Sequence, residues 1–267
     1  MEEKKEQLGF HTFAICAYKD SPYLESCIRS LMGQRAKSPV ILCTSTPSPY
    51  INGLAGKYGI PVFVRDGASN MRDDWNFAYH MADGELVTIA HQDDVYHKDY
   101  VAELLKAYRR HPDMTLFTSD YVIVKNGALI TGDKMLLVKR LLRLPLRFPA
   151  LNDRVWVKKL PLMFGNSICC PASTYQKRLL GEPLFQEDYK FALDWANLLA
   201  LAQRKGRFIC VERPLLYYRV HDGATTKQCI VNNDRAGEEE EMFRRFWPEA
   251  VVKLLMKPYR TAYDEYQ

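Results

Sequence analysis

Short apolar runs rich in β-branched residues alternate with amphipathic segments through the first hundred residues. This pattern predicts strands over residues 10–16, 39–43, 61–64 and 86–90. Between the strands, apolar residues recur at helical spacing, and the first helix is predicted to have Ser21 as its N-cap and Pro22 as its first residue. A chain that returns repeatedly from strand through helix to strand forms a parallel sheet covered by helices. The sequence therefore predicts an α/β fold.

The elements beyond residue 98 are less regular. Residues 99–111 have the apolar spacing of an amphipathic helix. Residues 116–125 and 128–131 are predicted to pair as a β-hairpin, because the dipeptide Asn126-Gly127 between them favours a type I′ turn. A mixed sheet is therefore expected in the second half of the chain.

Two adjacent carboxylates follow the buried strand 86–90, in the sequence His91-Gln92-Asp93-Asp94. In an open α/β sheet, ligands bind outside the carboxyl ends of the strands. Neighbouring carboxylates repel each other unless a cation lies beside them, and a hard divalent ion with oxygen ligands serves that purpose. The pair indicates either a metal site or a solvated turn.

Composition excludes several classes of protein. The chain has 267 residues, enough for one large α/β domain or two small ones, and its seven cysteines are an odd number without zinc-finger spacing. Reduced thiols and a charged N-terminus without an apolar core segment predict a cytoplasmic protein. Eight basic residues and one acid lie within 134–159, so the net charge of this segment is +7. The net charge of the whole chain is +5, so the remaining residues carry a net charge of −2. A chain that is not generally basic is not expected to bind nucleic acid.

The basic segment itself has a helical pattern. Lys139, Arg143 and Arg147 are spaced four apart, with leucines between them, until Pro145 interrupts the helix. Such a segment can lie on an anionic membrane surface or cover an acidic substrate. A solvated basic helix over the edge of the sheet remains the alternative.

Asp194 lies in the segment 191–202, which is apolar nearly all round and is therefore predicted to be a buried helix. A carboxylate in such a helix must be paired, protonated or exposed to a cavity. Asp194 is thus a candidate catalytic base at a crevice. An aspartate bonded to an arginine or a backbone amide in the core is the alternative.

Four motifs in this order and spacing resemble family 2 glycosyltransferases, which have the nucleotide-sugar-binding GT-A fold: FAICAYKDSPYLESCIRSLMGQ, ADGELVTIAHQDDVY, FALDWANLLALAQRKGRF and RPLLYYRVHDGATT. The resemblance covers roughly residues 10–226 and is more specific than any single motif. It implies one GT-A-like domain over 1–267. Its expected parts are a nucleotide-sugar-binding half (10–132), a basic variable segment (133–160), an acceptor and catalytic half (161–226) and a C-terminal helical tail (227–267).

The resemblance also implies roles for residues at the metal and the base. Asp94 corresponds to the metal ligand, with Asp93 as its ribose-binding or metal-binding neighbour, and His91 stands where the family usually has an acid. His221 corresponds to a late histidine that approaches the metal or the diphosphate. Asp194 corresponds to the aspartate that activates the acceptor, with Glu187 and Asp188 as alternatives in another register.

Residues for the nucleotide sugar follow from the same resemblance. Ala17 and Tyr18 match the loop that contacts the nucleoside, and Gln92 joins them from the acidic motif. Thr44-Ser45-Thr46 replaces the family's acids after the second strand, which leaves the base undetermined. The other expected contacts are Asn76, assisted by Arg72 or Asp74.

These placements imply an enzyme that transfers a sugar with inversion at the anomeric carbon. Asp194 would remove the proton of an acceptor hydroxyl, and Mn2+ or Mg2+ would offset the charge of the departing diphosphate. We expect a nucleotide-sugar donor, a UDP-sugar first, and a glycan or lipid-linked glycan acceptor, as in polysaccharide biosynthesis. Peripheral contact of residues 134–159 with the inner face of the cytoplasmic membrane is part of this expectation.

Two other functions compete with this one. A nucleotidyltransferase would need a glycine-rich phosphate loop near the first strand, whereas Cys16-Ala17-Tyr18-Lys19-Asp20 contains no glycine. A non-catalytic scaffold that binds sugar nucleotides or a membrane surface is the stronger competitor, because His91 and Thr44 depart from the family pattern. Turnover separates it from the enzyme.

Overall fold

The computed structural model describes residues 9–221, 223 and 234–264, with side chains of the last helix described as far as residue 257. Its strands are β1 (His11–Ala17), β2 (Val40–Thr44), β3 (Val62–Val64), β4 (Leu86–His91), β5 (Val95–Tyr96), β6 (Met114–Lys125), β7 (Ala128–Ile130), β8 (Ser173–Gln176) and β9 (Arg207–Val220). The helices are Leu24–Met32, Pro49–Tyr58, Met71–Met81, Tyr100–Arg110, Lys134–Arg143, Val155–Lys159, Lys177–Leu180, Leu193–Ala202, Asp234–Arg244 and Glu249–Asp264. Short 3-10 turns lie at Leu144–Arg147, Leu160–Leu162 and Cys170–Ala172.

The strands form one sheet in the order β3-β2-β1-β4-β8-β6-β9-β5, with β7 paired to β6. The first four strands pair in parallel, which confirms the α/β winding expected from the sequence. β8 then runs antiparallel between β4 and β6, while β6 and β9 are parallel to each other. One sheet therefore continues from the first half of the chain into the second.

Both faces of this sheet are covered, as a parallel sheet requires. Along β1, Phe13 and Ile15 point into one apolar layer and Ala14 into the other. The first layer contains the helices Leu24–Met32 and Tyr100–Arg110, and the second contains Leu193–Ala202. The parallel strands are held between these layers, so that their carboxyl ends form a fixed edge.

The first helix begins later than predicted. It starts at Leu24 with Tyr23 as its N-cap, and the prediction of Ser21 and Pro22 in these positions is wrong. The Ser21 side chain instead accepts a hydrogen bond from the amide of Tyr23, at 3.3 Å, in a turn that precedes the helix. Ser21 therefore stabilises the turn before the helix and does not cap the helix itself.

The predicted hairpin is confirmed. Lys125 pairs with Ala128 across the turn, and Asn126 and Gly127 have φ angles of 51° and 79°. Two consecutive positive φ angles define the type I′ turn, which matches the twist of the strands it joins.

The C-terminal helices pack on the main domain. Met242 and Phe243 are fully buried in the same apolar layer as Trp195, whose ring lies 5.1 Å from that of Phe243. The indole of Trp247 donates to the carbonyl of Met163 at 2.8 Å. The aromatic side chains of the tail therefore dock on the main domain.

The interpretation of the basic segment as a solvated helix is wrong for two of its cations. Arg143 is fully buried, donating to Asp120 at 2.6 Å and to the carbonyl of Ser167 at 2.9 Å. Lys158 is also buried, on the carbonyls of Arg204 and Gly206. The exposed side chains of the segment are instead largely apolar: Met135, Leu137, Val138, Leu141, Leu144, Phe148, Leu151, Val155 and Trp156. Among the described residues, no helix is both long and apolar enough to span a bilayer.

Candidate active site

A cavity of about 610 Å³ opens where β1, β2 and β4 end. This is the edge of the sheet at which α/β proteins bind their ligands. It brings together most of the predicted site residues, namely Ala17, Tyr18, Thr44, Asp74, Gln92, Asp93, Asp194 and His221. Residues more than 170 positions apart in the chain thus line one space.

The loop after β1 is fixed by Gln92. The amide of Tyr18 donates to the side chain of Gln92 at 3.0 Å, and that side chain returns a hydrogen bond to the carbonyl of Tyr18 at 2.9 Å. The ring of Tyr18 remains 46% exposed at the cavity. An exposed aromatic ring on a cavity wall can stack on a planar base.

Asp74 lies beside the loop that follows β2. Its carboxylate accepts hydrogen bonds from Ser45 at 3.1 Å and from Ser69 at 2.7 Å, and pairs with Arg65 at 2.8 Å. Thr44 is buried at the end of β2, where its hydroxyl accepts from the amide of Thr46. The helix Met71–Met81 therefore supplies a carboxylate next to the position where the sequence lacks one.

Arg72 and Asn76 do not line the cavity. Asn76 makes a two-way hydrogen-bond pair with the backbone of Phe185, at 2.8 and 2.9 Å. Arg72 pairs with Asp73 and Asp188. Their geometry joins the helix Met71–Met81 to the loop before Leu193, and their contact with a nucleotide stays a prediction.

The carboxylate pair after β4 forms a compact cluster with His91. Ligand atoms of His91, Asp93 and Asp94 all lie within 4.8 Å of one another. Asp94 is only 1% exposed, and one of its oxygens accepts from the amide of Arg219 at 2.9 Å. Its other oxygen is buried and has no hydrogen-bond partner among the described residues. Burial and the neighbouring charge of Asp93 raise the pKa of Asp94 well above its usual value, which the Arg219 guanidinium opposes. A carboxylate oxygen that has no hydrogen-bond partner and lies near the ligand atoms of Asp93 and His91 fits a divalent cation.

His221 approaches this cluster from the end of β9. Its Nε2 lies 2.9 Å from a carboxylate oxygen of Asp93, and its ring contacts that of Tyr23, with ring centres 4.7 Å apart and planes inclined by 54°. Arg219 donates to the carbonyl of Asp93 and lies 4.4 Å from the same Tyr23 ring. The ends of β4 and β9 are therefore tied together at the carboxylates, and whether His221 itself binds a metal stays a prediction.

Asp194 occupies the first turn of the helix Leu193–Ala202. One oxygen accepts from the side chain of Asn166 at 2.8 Å and the other from the amide of Trp195 at 2.7 Å. Burial raises the pKa of Asp194 to about 6, although these hydrogen bonds and the charge of Lys139 lower it. A carboxylate with a pKa near neutrality is ionised at pH 7 and still basic enough to accept a proton. The alternatives Glu187 and Asp188 do not line the cavity and pair with Arg245 and Arg72.

Comparison with known proteins identifies the family. A sequence profile described as glycosyl transferase family 2 matches residues 12–168, more than half of the chain. The chain belongs to this family. No curated protein sequence matches it significantly.

Solved structures of glycosyltransferases resemble this family 2 member in fold. Residues 1–349 of Staphylococcus aureus TarS, in complex with UDP-GlcNAc, are 14% identical with a TM-score of 0.64, and the match covers 89% of this chain and 71% of that TarS fragment. The mannosyltransferase PcManGT from Pyrobaculum calidifontis, with GDP-Man and Mn2+, is 16% identical with a TM-score of 0.59, covering 88% and 63%. Glucosyl-3-phosphoglycerate synthase from Mycobacterium tuberculosis, with Mn2+, UDP and glucosyl-3-phosphoglycerate, is 14% identical with a TM-score of 0.55, covering 87% and 81%. The predicted GT-A fold is confirmed.

Two residues beside Asp194 in this family 2 glycosyltransferase were not assigned roles from the sequence. Asn166 holds one carboxylate oxygen, and Lys139 lines the cavity from the helix Lys134–Arg143. Burial lowers the pKa of Lys139. The regular spacing of Lys139 with Arg143 indicated a helix, but the pattern gave no sign that only one of the two faces a cavity.

Glu238 was also missed, and it fixes the segment that carries Asp194. Its carboxylate accepts from three consecutive backbone amides, those of Lys190, Phe191 and Ala192, at 2.9, 2.7 and 2.8 Å. An anion bound by the amides at the start of a helix is stabilised both by these bonds and by the helix dipole. The C-terminal helix Asp234–Arg244 therefore positions the candidate base.

Proposed function

We propose that the protein transfers a sugar from a nucleoside-diphosphate donor to a hydroxyl group of an acceptor, with inversion at the anomeric carbon. The observation that carries this proposal is that Asp194, with a pKa near 6, opens into the same cavity as Asp93. The cavity volume of about 610 Å³ lies within the range of roughly 300–1,000 Å³ that small-molecule sites occupy. Membership of glycosyl transferase family 2 supports the reaction class.

In this reaction the acceptor oxygen attacks C1 of the donor sugar while Asp194 accepts the proton of the attacking hydroxyl. The bond between the acceptor oxygen and C1 forms, and the bond between C1 and the phosphate oxygen breaks with its electron pair going to the nucleoside diphosphate. Asn166 holds the Asp194 carboxylate in place during the transfer. Attack from the side opposite the leaving group inverts the configuration, so one carboxylate is enough.

Asp93 and Asp94 would hold a divalent cation, Mn2+ or Mg2+, with His221 reaching the pair through Asp93. When bound, such an ion offsets the negative charge that develops on the leaving diphosphate. Lys139 places a positive charge in the same cavity. Its interaction with Asp194 also keeps that carboxylate more acidic than burial alone would make it.

The donor is a UDP-sugar or a related nucleotide sugar. Tyr18 would stack on the base, with Asp74 and Thr44 beside it and Ala17, Gln92 and Asp93 nearer the ribose and the phosphates. The solved neighbours with UDP-GlcNAc and GDP-Man support donors of this class. Arg72 and Asn76 would act on the nucleotide only through the helix that carries Asp74.

The acceptor is a glycan or a lipid-linked glycan of polysaccharide biosynthesis. The helix Lys134–Arg143 supports a lipid-linked acceptor, because it lines the cavity with Met135, Val138 and Leu142 and exposes Leu137 and Leu141 outside it. Trp156, 60% exposed, suits the interface of a bilayer. These features favour peripheral contact of residues 134–159 with a membrane, and we place this contact at the cytoplasmic face.

The test measures release of nucleoside diphosphate from UDP-, GDP- and dTDP-sugars, with Mn2+, with Mg2+ and with a chelator. The variants are Asp94→Asn and Asp194→Asn, and the matched control is Asp83→Asn, an exposed aspartate at the opposite end of β4. We expect the chelator and Asp94→Asn to abolish release. Asp194→Asn should retain donor binding and lose transfer to glycan or lipid acceptors, while Asp83→Asn should behave as wild type.

The configuration of the product gives a second readout, since NMR of its anomeric proton distinguishes inversion from retention. A retained configuration would refute the single-base mechanism. Binding of a nucleotide sugar without release, in the presence of every acceptor, would favour the non-catalytic scaffold.

A further inference from the structure

His91 ends β4 at the position where the family usually has an acid. Its ring stacks on Trp75, with ring centres 5.0 Å apart and planes inclined by 34°, and its carbonyl accepts from the thiol of Cys27. The ring nitrogen Nε2 is buried and has no hydrogen-bond partner in the described part of the chain. The imidazole is therefore held in a fixed orientation by an aromatic neighbour but lacks the polar partner that a buried nitrogen normally finds.

A second unsatisfied atom lies in the same cluster. One oxygen of Asp94 is buried without a partner, and the ligand atoms of His91, Asp93 and Asp94 lie within 4.8 Å of one another. Two orphaned polar groups at one place are costly unless a common partner satisfies both. A cation that accepts lone pairs from an imidazole nitrogen and from carboxylate oxygens is such a partner.

We propose that His91 supplies a nitrogen ligand to the metal held by Asp93 and Asp94, so that this site prefers Mn2+ and later transition metals to Mg2+. The inference rests on the proposed function, in which these carboxylates hold the catalytic cation. Mg2+ is bound mainly through oxygen ligands, whereas imidazole binds transition metals, with an affinity that rises from Mn2+ through Co2+ to Ni2+. Replacement of an acid by His91 thus changes the metal preference and removes one negative charge from the site.

The direct test is pulsed electron paramagnetic resonance of Mn2+ bound to the 267-residue chain with UDP. A coordinated imidazole produces modulation from its nitrogen-14 nuclei, which carboxylates and water do not. We expect this modulation in the wild type, its loss in His91→Asp, and its retention in His221→Asn and in the matched control His80→Asn. His80 is an exposed histidine paired with Glu182 outside the cavity.

Metal affinities measured by titration calorimetry give the second readout. His91→Asp restores an all-oxygen donor set, and we expect it to reduce the ratio of Mn2+ to Mg2+ affinity by at least about 10-fold, the change that loss of an outer-shell partner alone produces. Co2+ should bind the wild type more tightly than Mn2+ and lose most in the variant.

Several results would overturn the inference. Wild-type protein that binds Mn2+ without nitrogen modulation would exclude His91 as a ligand whether or not the variant folds. Loss of modulation in His221→Asn, with retention in His91→Asp, would assign the nitrogen to the other histidine. Nitrogen modulation without turnover of any donor would leave His91 as a ligand and refute the proposed function. Metal-dependent turnover without nitrogen modulation would exclude His91 as a ligand and leave the proposed function intact.

Discussion

Asp194→Asn is expected to abolish sugar transfer and to stabilise the protein. The pKa of Asp194 is raised by burial from 3.8 to about 6, so ionisation of this group in the folded state is unfavourable by about 3 kcal/mol at 1.36 kcal/mol per unit. Asparagine removes that cost but loses one charge-assisted bond, worth on the order of 1.5–3 kcal/mol, because the Asn166 amide and the Trp195 amide both donate and asparagine has one acceptor oxygen. The net expectation is a gain of up to about 1.5 kcal/mol at pH 7, or up to roughly 6 °C in Tm.

The pH dependence of the stability independently tests the sign of the change caused by Asp194→Asn. An acid whose pKa is higher in the folded protein favours folding when protonated and loses that contribution as the pH rises from about 4 through 6. The difference in Tm between Asp194→Asn and the wild type should therefore grow over this range and stay constant above it. Transfer by the wild type should fall about 10-fold from pH 7 to pH 5, because only about one in eleven carboxylates is then ionised.

Thermal unfolding by calorimetry between pH 4 and 8, together with transfer assays, decides between two roles of this residue. A destabilised Asp194→Asn variant, or a Tm difference independent of pH, would refute the reasoning and indicate that the carboxylate is a structural partner in the core. A stabilised and inactive variant is the pattern of a functional group that is kept at a cost in stability.

Two further predictions concern groups around this site, and a third concerns the packing at the start of β4. Lys139→Met should move the acid limb of the pH–rate profile to higher pH, since the lysine charge lowers the pKa of Asp194, and an unchanged limb would contradict that coupling. Glu238→Gln should lower kcat and cost about 1–3 kcal/mol in urea unfolding, because three backbone amides lose an anionic acceptor; unaltered kcat would remove its positioning role. Gly84→Ala should destabilise by about 1–3 kcal/mol, since its Cβ would lie 2.7 Å from the amide of Thr12, whereas the control Gly53→Ala meets no atom and should stabilise its helix by up to about 1 kcal/mol.

The parts of the fold that could be predicted are those set by local pattern. β1 to β4 are confirmed within one residue at each end, because strands of a parallel sheet require apolar runs whatever their neighbours. The hairpin at Asn126-Gly127 followed from backbone preferences of two residues. By contrast, the insertion of β8 between β4 and β6 depends on pairing between segments far apart, for which the sequence carries no local signal.

The same difference between local pattern and long-range contact applies to the residues of the site. Tyr18 and Thr44, expected from the family resemblance, and Asp93, expected from its position after β4, line one cavity because the carboxyl edge of a parallel sheet brings the strand ends together. Asn76 looked equally suitable, but its amide is used by the backbone of Phe185, 109 residues away. Glu238 belongs to the acidic run 238–241, and only the folded chain brings it to the amides that it binds.

The charge count of the basic segment does not predict that its exposed surface is largely apolar. Its eight cations predicted a basic exterior, yet Arg143 and Arg140 both turn inward to Asp120, and Lys158 is buried on backbone carbonyls. Each buried cation needs such partners, and the partners lie on the sheet side of the segment. Leucine and tryptophan side chains are consequently left on the outside, next to the helix that lines the cavity. The surface beside the cavity is therefore more apolar than the sequence suggests, which is the property that the proposed lipid-linked acceptor requires.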